Sequence, residues 1–274
     1  MTGAPGMKEY AAYIVDTEFV WGYQTNVAGL SKTPPSFTYP PPTTFLGAVT
    51  EAIAKREGLG ESSYLRILNE LVDPLVAIAI KPRNIYPMKT LDINKIIAVR
   101  EASGKEFPNP DEPGNSFDAP ARGKTIASPI DGIPTITWVI VFSKKPKLLK
   151  ARDLWKIHRL GSKESIVSVM KVENIKAAID ETDTTLTSYS VPLKYVERFK
   201  PKAGSEWVIE SYANPFDTFS DNSPATRYLI GNTILFASPI NKSVREYSLA
   251  TVRVKKEGAL YRVSNERIVG VLKE

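Results

Sequence analysis

"PTITWVIVF", residues Pro134 to Phe142, decides how the rest of the chain is read. It is a clear strand, and it follows a stretch without such order. From Lys81 to about Ile133 the pattern dissolves into segments such as "NPDEPGNSFDAPARGKTIASPIDGIP", rich in Pro, Gly and Asp. That is too long for an ordinary connection in a compact domain, and loops of this length are usually functional. Its first part, "KPRNIYPMKTLDINKIIAVREAS", is basic with β-like pairs, which suggests an extended hairpin. Pro134–Phe142 therefore resumes a fold that an insertion has interrupted.

Upstream of the insertion, "PLVAIAI" (Pro74 to Ile80) reads as a strand buried on both faces. Before it, "TTFLGAVTEAIAKREG" carries helical period, with Phe45, Val49 and Ile53 at i, i+4 and i+8. Thr43 or Thr44 is the expected cap, and Gly58 the stop after a basic last turn of Lys55 and Arg56. Gly47 costs about 1 kcal/mol of helix propensity relative to Ala, so a closely packed neighbour is expected there and its substitution should harm folding. "SSYLRILNELV" is a second, shorter helix striped by Leu65, Leu68 and Val72. At the start, "EYAAYIVDTEFVWGY" alternates: Tyr13, Val15, Thr17, Phe19 and Trp21 on one face, Ile14, Asp16, Glu18 and Val20 on the other.

Downstream, "LLKARDLWKIH" reads as a short helix on Leu149, Leu154 and Ile157, "RLGSKES" as a turn, and "SIVSVMKV" as a strand. The order β, α, α, β, insertion, β, α, β is the split β-α-β of a ferredoxin-like fold. After about Asn174 the chain reads as mostly β, with strand candidates "WVIESY", "RYLIGNTILFAS", "YSLATVRVK" and "ALYRVSNERIVGVLK". The expected architecture is α+β. A ferredoxin-like domain spans 1–175, with the insertion at about 82–133, and a small β-rich C-terminal domain spans 176–274.

The 274 residues are 42% hydrophobic and 24% charged, as in an ordinary folded soluble protein, and a cytoplasmic place is expected. No window approaches the ~18 apolar residues of a membrane span, and "MTGAPGMKEY" does not read as a signal peptide. Without cysteine there is no disulfide, thiolate zinc site or cysteine nucleophile, and one histidine excludes a multi-imidazole zinc site. Absent Cys, 4 Met and 21 Pro fit a thermophile. The net charge of +6 favours an anionic partner such as nucleic acid or acidic lipid, and serves solubility as well.

Gly123–Thr125 ("GKT") lacks the spacing of a phosphate-binding loop for nucleotide hydrolysis. Asp16 and Glu18 share a strand face and could together hold a metal, but solvated or ion-paired strand residues are the better reading. His158 beside Lys156 and Arg159 could be a general base for RNA cleavage, yet a helix C-terminus attracts such groups for structural reasons alone. In "RLGSKES" (Arg159 to Ser165), Gly161 permits close backbone approach. Successive amides there, with Ser162, Arg159 and Lys163, could form an anion site. A glycine after a basic turn is equally a helix stop; the basic surplus tips the reading toward phosphate.

"FTYPPPTTFLGAV" and "RLGSKES", separated by this split pattern with its long insertion, resemble the fifth CRISPR-associated (Cas) family of RAMP proteins. The first is similar to that family's N-terminal signature, the second to its glycine-rich loop, and the insertion stands where the family has its thumb. The resemblance covers about residues 8–175, and an archaeal type I-A member fits best. It implies an RRM-like domain and a binding role: capping the 5′ handle of guide RNA (crRNA) in the type I Cascade complex. The thumb would meet the backbone subunit, and the large subunit would dock alongside. Neither a cofactor nor a homo-oligomer is implied. RNA contacts are then expected from Arg159, Gly161, Ser162 and Lys163, from Tyr23, Lys32 and Tyr39 around the first long loop, and from Arg83, Tyr86 and Lys89 at the thumb base. One branch of the family is itself a metal-independent endoribonuclease with a Tyr/Lys/His set; Lys156–His158 does not align with that set, so no catalytic residue is expected and repeat-RNA cleavage stands as the alternative.

Overall fold

A computed structural model describes residues 9–25, 35–92, 122–220, 224–243 and 246–273. Lys32 and most of the insertion lie outside the described residues. The alternation read in the first strand, Tyr10–Phe19 (β1), is realised: Tyr13, Val15, Thr17 and Phe19 are buried, while Ile14, Asp16 and Glu18 are half-buried on the opposite face. A short strand follows (Gly22–Tyr23, β2), then helices Pro42–Glu57 (α1) and Tyr64–Val72 (α2). Leu75–Arg83 (β3) leads into the hairpin Ile85–Asp92 (β4) and Arg122–Pro129 (β5), which carries the insertion. Thr135–Phe142 (β6), the one-turn helix Ala151–Leu154 (α3) and the long strand Val167–Ile179 (β7) complete this half.

The rest comprises Thr184–Thr187 (β8), Val191–Pro192 (β9), Val196–Pro201 (β10), Glu206–Ala213 (β11), Pro224–Leu229 (α4), Thr233–Ile240 (β12), Ala250–Val254 (β13), Gly258–Val263 (β14) and Glu266–Val271 (β15). The helix α4 was not expected; the "RYLI" read as a strand start closes it instead, and β12 begins only at Thr233.

The central sheet has the order β15-β14-β7-β1-β6-β3, every pair antiparallel. The helices lie on one face. Phe45 of α1 stacks on Trp138 of β6 with ring centroids 4.5 Å apart. The indole N–H of Trp138 donates to Thr17 Oγ1 at 3.1 Å, so its polar edge is satisfied inside the core. Behind α1 the buried carboxylate of Asp153 meets Arg56 Nε at 2.7 Å, pinning α3 to α1.

Three expectations are corrected here. First, α1 begins within the proline run, not at a threonine. Pro41 takes the cap position and Pro42 the first helical one, with no side-chain cap. Proline suits that position because its fixed φ is helical and its missing N–H has no partner to lose. Second, the boundary at 175 falls inside β7, which continues to Ile179 and pairs there with β14. The last hairpin, β14–β15, thus joins the first half's sheet. Its strand β15 packs so closely on β3 that a Cβ on Gly270 would meet Val76 O at 2.2 Å. Around this closure Ala12, Val76, Val139, Ala177, Tyr261 and Ile268 form a second core cluster on the far face. The outer edge of β3 is occupied by Ser190, whose N–H donates to Ile80 O at 2.8 Å and whose Oγ accepts from Ile80 N at 3.0 Å.

Third, Gly47 has the close neighbour expected, but it is a side chain and not backbone, so the expected harm to folding is what changes. A Cβ there would meet only the Tyr64 hydroxyl, at 3.2 Å, the far end of a side chain that can shift. Gly47→Ala should therefore leave stability unchanged or slightly raised, because the helix-propensity gain is about 1 kcal/mol. Gly270→Ala should cost about 1–3 kcal/mol, as overpacking against fixed backbone does. Urea denaturation of the two variants beside the parent protein checks both.

Candidate functional site

The segment that leads into α1 is core. Residues 36–43 are all buried. Phe37 packs edge-on to Tyr212, at 5.0 Å, and Tyr39 donates its hydroxyl to Pro239 O at 3.0 Å. Between them Thr38 is held by Glu210 of β11. The Thr38 N–H lies 2.9 Å from both carboxylate oxygens, its hydroxyl donates at 2.8 Å, and the Tyr212 hydroxyl donates to the same carboxylate at 2.9 Å. Tyr23 donates its hydroxyl to Thr38 O, and Thr125 of β5 donates to Phe37 O at 2.6 Å. Tyr23 and Tyr39, expected to contact RNA, are fully buried and offer no ring face to a ligand. The loop's apolar and aromatic content, read as an RNA-facing surface, is spent on joining β2 and β5 to β11 and β12.

The loop Arg159–Ser165 is also turned inward. Ser162 N–H donates to Gln24 O at 2.9 Å, and Ser165 Oγ accepts from Gln24 N at 2.9 Å, so the loop clasps the chain just after β2 from both sides. Gly161 sits at φ 125°, and a Cβ there would lie 2.6 Å from that same carbonyl. The expected anion site on successive amides is corrected accordingly: the amide of Ser162 is already committed to protein. Arg159 reaches the other way and pairs with Glu51 of α1 at 3.1 Å. Lys163 alone of the four projects into solvent.

Glu164 gives the loop a second duty. Its carbonyl accepts from the Trp21 indole at 2.8 Å, and its carboxylate meets Lys124 of β5 at 3.2 Å. Lys124 also pairs with Asp92 of β4 and lies over the Trp21 ring. The hydrogen bond to Asp92 and the Glu164 charge raise the Lys124 pKa. The base of the β4–β5 hairpin is thus latched to the loop. Of the residues expected to bind RNA there, Lys89 pairs with Glu210 at 2.8 Å, Arg83 is half-buried beside Tyr189, and Tyr86 is part-exposed on the hairpin face.

The outward chemistry lies one segment earlier. Arg152, Trp155, Lys156, His158 and Lys163 are exposed along the chain that runs from α3 into the loop, and Trp155 has 51% of its surface in solvent. Among the described residues, no carboxylate pairs with Arg152, Lys156 or Lys163. His158 Nδ1 contacts the Lys156 carbonyl at 3.2 Å. The signal for this strip was in the sequence: Trp155 falls off the Leu149–Leu154–Ile157 stripe and is followed directly by a lysine. Asp16, weighed as a metal ligand, accepts a hydrogen bond from Thr137 Oγ1 at 2.6 Å.

No protein-family model and no curated protein matches the chain. Among solved structures it is similar to one described as the crystal structure of a CRISPR protein from Archaeoglobus fulgidus. The two share 39% identity over 96% of this chain and 100% of that one, with a TM-score of 0.72.

The buried phenols give a pH test. Burial, reinforced by the Glu210 charge, pushes Tyr23, Tyr39 and Tyr212 above the ordinary 10.0, and burial first, then Asp217, takes Tyr195 to about 12. The unfolded chain gives up these protons around the ordinary 10.0 while the folded state keeps them, so this contribution is complete below that value and is lost as pH rises from there through the raised values. In an alkaline titration, phenolate absorbance from these residues should appear together with loss of far-ultraviolet circular dichroism. Early, independent ionisation of every tyrosine would contradict the burial described.

Proposed function

This chain belongs to a family of CRISPR-associated proteins, and we propose that within it the protein is a non-catalytic RNA-binding subunit of an effector complex. In this reading it is a RAMP protein of the fifth Cas family. The strands β7-β1-β6-β3, with α1 between β1 and β3 and the insertion between β3 and β6, form its ferredoxin-like, RRM-like core. The hairpin β4–β5 and the chain it carries form the thumb. The protein caps the 5′ handle of crRNA in a type I Cascade complex of the archaeal I-A kind, with the thumb toward the backbone subunit and another surface toward the large subunit.

The observation that carries the RNA assignment is the strip Arg152–Trp155–Lys156–Lys163. Cations without carboxylate partners hold counterions that a phosphate backbone displaces, and an exposed indole offers a stacking platform to any base. The inward-turned loop supports the same reading in a different way: it fixes the strip's end against β2 and leaves Lys163 outside.

The test is binding of repeat-derived single-stranded RNA across a salt series, with EDTA present throughout. Affinity should fall linearly with salt on a log–log plot, and the RNA should be recovered intact. Absent or salt-insensitive binding, alone and with partner subunits, contradicts the proposal. A defined product that disappears in His158→Ala would instead make the protein a metal-independent repeat endoribonuclease.

A further inference from the structure

A small cavity opens between α1 and the segment that leaves α3, and nothing described above uses it. Glu51 and Lys55 line it from α1, and Lys156, His158 and Arg159 from the opposite side, with Ala48, Ala52 and Ile157 beneath. Its volume is about 70 Å³. That is room for several water-sized groups. It is far below the ~300–1,000 Å³ of pockets that enclose a drug-sized ligand. The space suits one tetrahedral oxyanion and excludes a nucleoside.

The charge balance points the same way. Glu51 is the one carboxylate in the lining, and it is already held between Lys55 at 2.7 Å and Arg159 at 3.1 Å. Burial alone would raise its pKa, but the hydrogen bond from Lys55 and the charge of Arg159 outweigh that and hold it below the ordinary value. Two cations thus serve one anion, and Lys156 adds a third positive charge without a carboxylate partner among the described residues. A carbonyl can only accept, so His158 Nδ1 carries the hydrogen in its contact with Lys156 O, and Nε2 is left for another partner. The exposed ring of Trp155 stands one residue before Lys156.

We infer that this cavity grips one backbone phosphate of the bound RNA, with Lys156, Lys55 and Arg159 supplying charge and the His158 ring lining the site beside it, while Trp155 receives a neighbouring base. The inference rests on the RNA-binding reading. It moves the phosphate contact from the amides of the glycine loop to the α1 side of Arg159.

The protein's single histidine makes the test selective, because the imidazole C2–H of His158 is one resolvable proton signal. Two titrations are needed, one with inorganic phosphate and one with a short single-stranded oligoribonucleotide. Both should move that signal in the parent protein. Lys156→Ala, a change at an exposed side chain, should abolish the phosphate-induced shift and leave the melting temperature unchanged. It should also lower the slope of log affinity against log salt by about 1, as loss of one phosphate contact does. RNA that binds with a steep salt slope while the His158 signal stays still overturns the cavity and leaves the RNA reading standing. A phosphate-induced shift in a protein that binds no RNA overturns the RNA reading, and the assigned ligand with it. An unaltered slope in Lys156→Ala also overturns the inference.

Discussion

Much of the structure depends on one part-buried carboxylate. Glu210 lies on the inner face of β11, and an ionised group there is tolerated only when its oxygens are filled with hydrogen bonds. Thr38 fills them from the segment before α1, Tyr212 from the same strand, and Lys89 from the β4–β5 hairpin. Three separate parts of the chain are drawn to one point. With Thr38 held, the prolines behind it have one path, and α1 starts at Pro42 in a fixed place. From there Phe45 comes to rest on Trp138, and the helix layer is in register with the sheet.

The loop Arg159–Ser165 does for β2 what Glu210 does for the pre-helix segment. It reads both polar groups of the Gln24 backbone and, through Glu164, holds Lys124 at the root of the hairpin. Two stretches that stand out as motifs therefore serve one structural end, the placement of the hairpin relative to the sheet. Their special residues are explained by that packing. Gly161 is required by the nearness of a carbonyl, and Tyr23 and Tyr39 by a core that joins distant strands.

The order of elements up to β7 was legible because each depends on local signals: alternation in β1, the 3.6 period of α1, the apolar run of β3 and the abrupt end of the insertion at Pro134. Pairings set by distant sequence were not legible. Nothing near residue 175 announces that β7 continues to meet β14, and Gly270 gives no local hint that β15 closes over Val76. For the site, Lys163 is exposed while Arg159 is half-buried and paired with Glu51, a difference that could not be read from residue type. Phe37, Tyr39 and Tyr23 look the same on paper whether they face a base or a core. Glu210 could have been noticed, since by alternation it shares a strand face with Val208 and Tyr212. The exposure of Arg152, Trp155 and Lys156 was not legible because the glycine loop carries the stronger local motif and Trp155 stands one residue outside the apolar stripe.

Inner and outer groups divide: residues 36–42, the Ser162 amide and the Ser165 hydroxyl hold the protein together, and in the proposed function the strip from Arg152 to Lys163 meets the RNA. The most direct measurement is photo-crosslinking of 4-thiouridine-substituted guide RNA to the protein, with the attachment sites mapped by mass spectrometry. Crosslinks should fall on Trp155 and its neighbours through Lys163. Crosslinks concentrated on Phe37–Tyr39 or on Tyr23, with the strip left unmodified, would contradict the account.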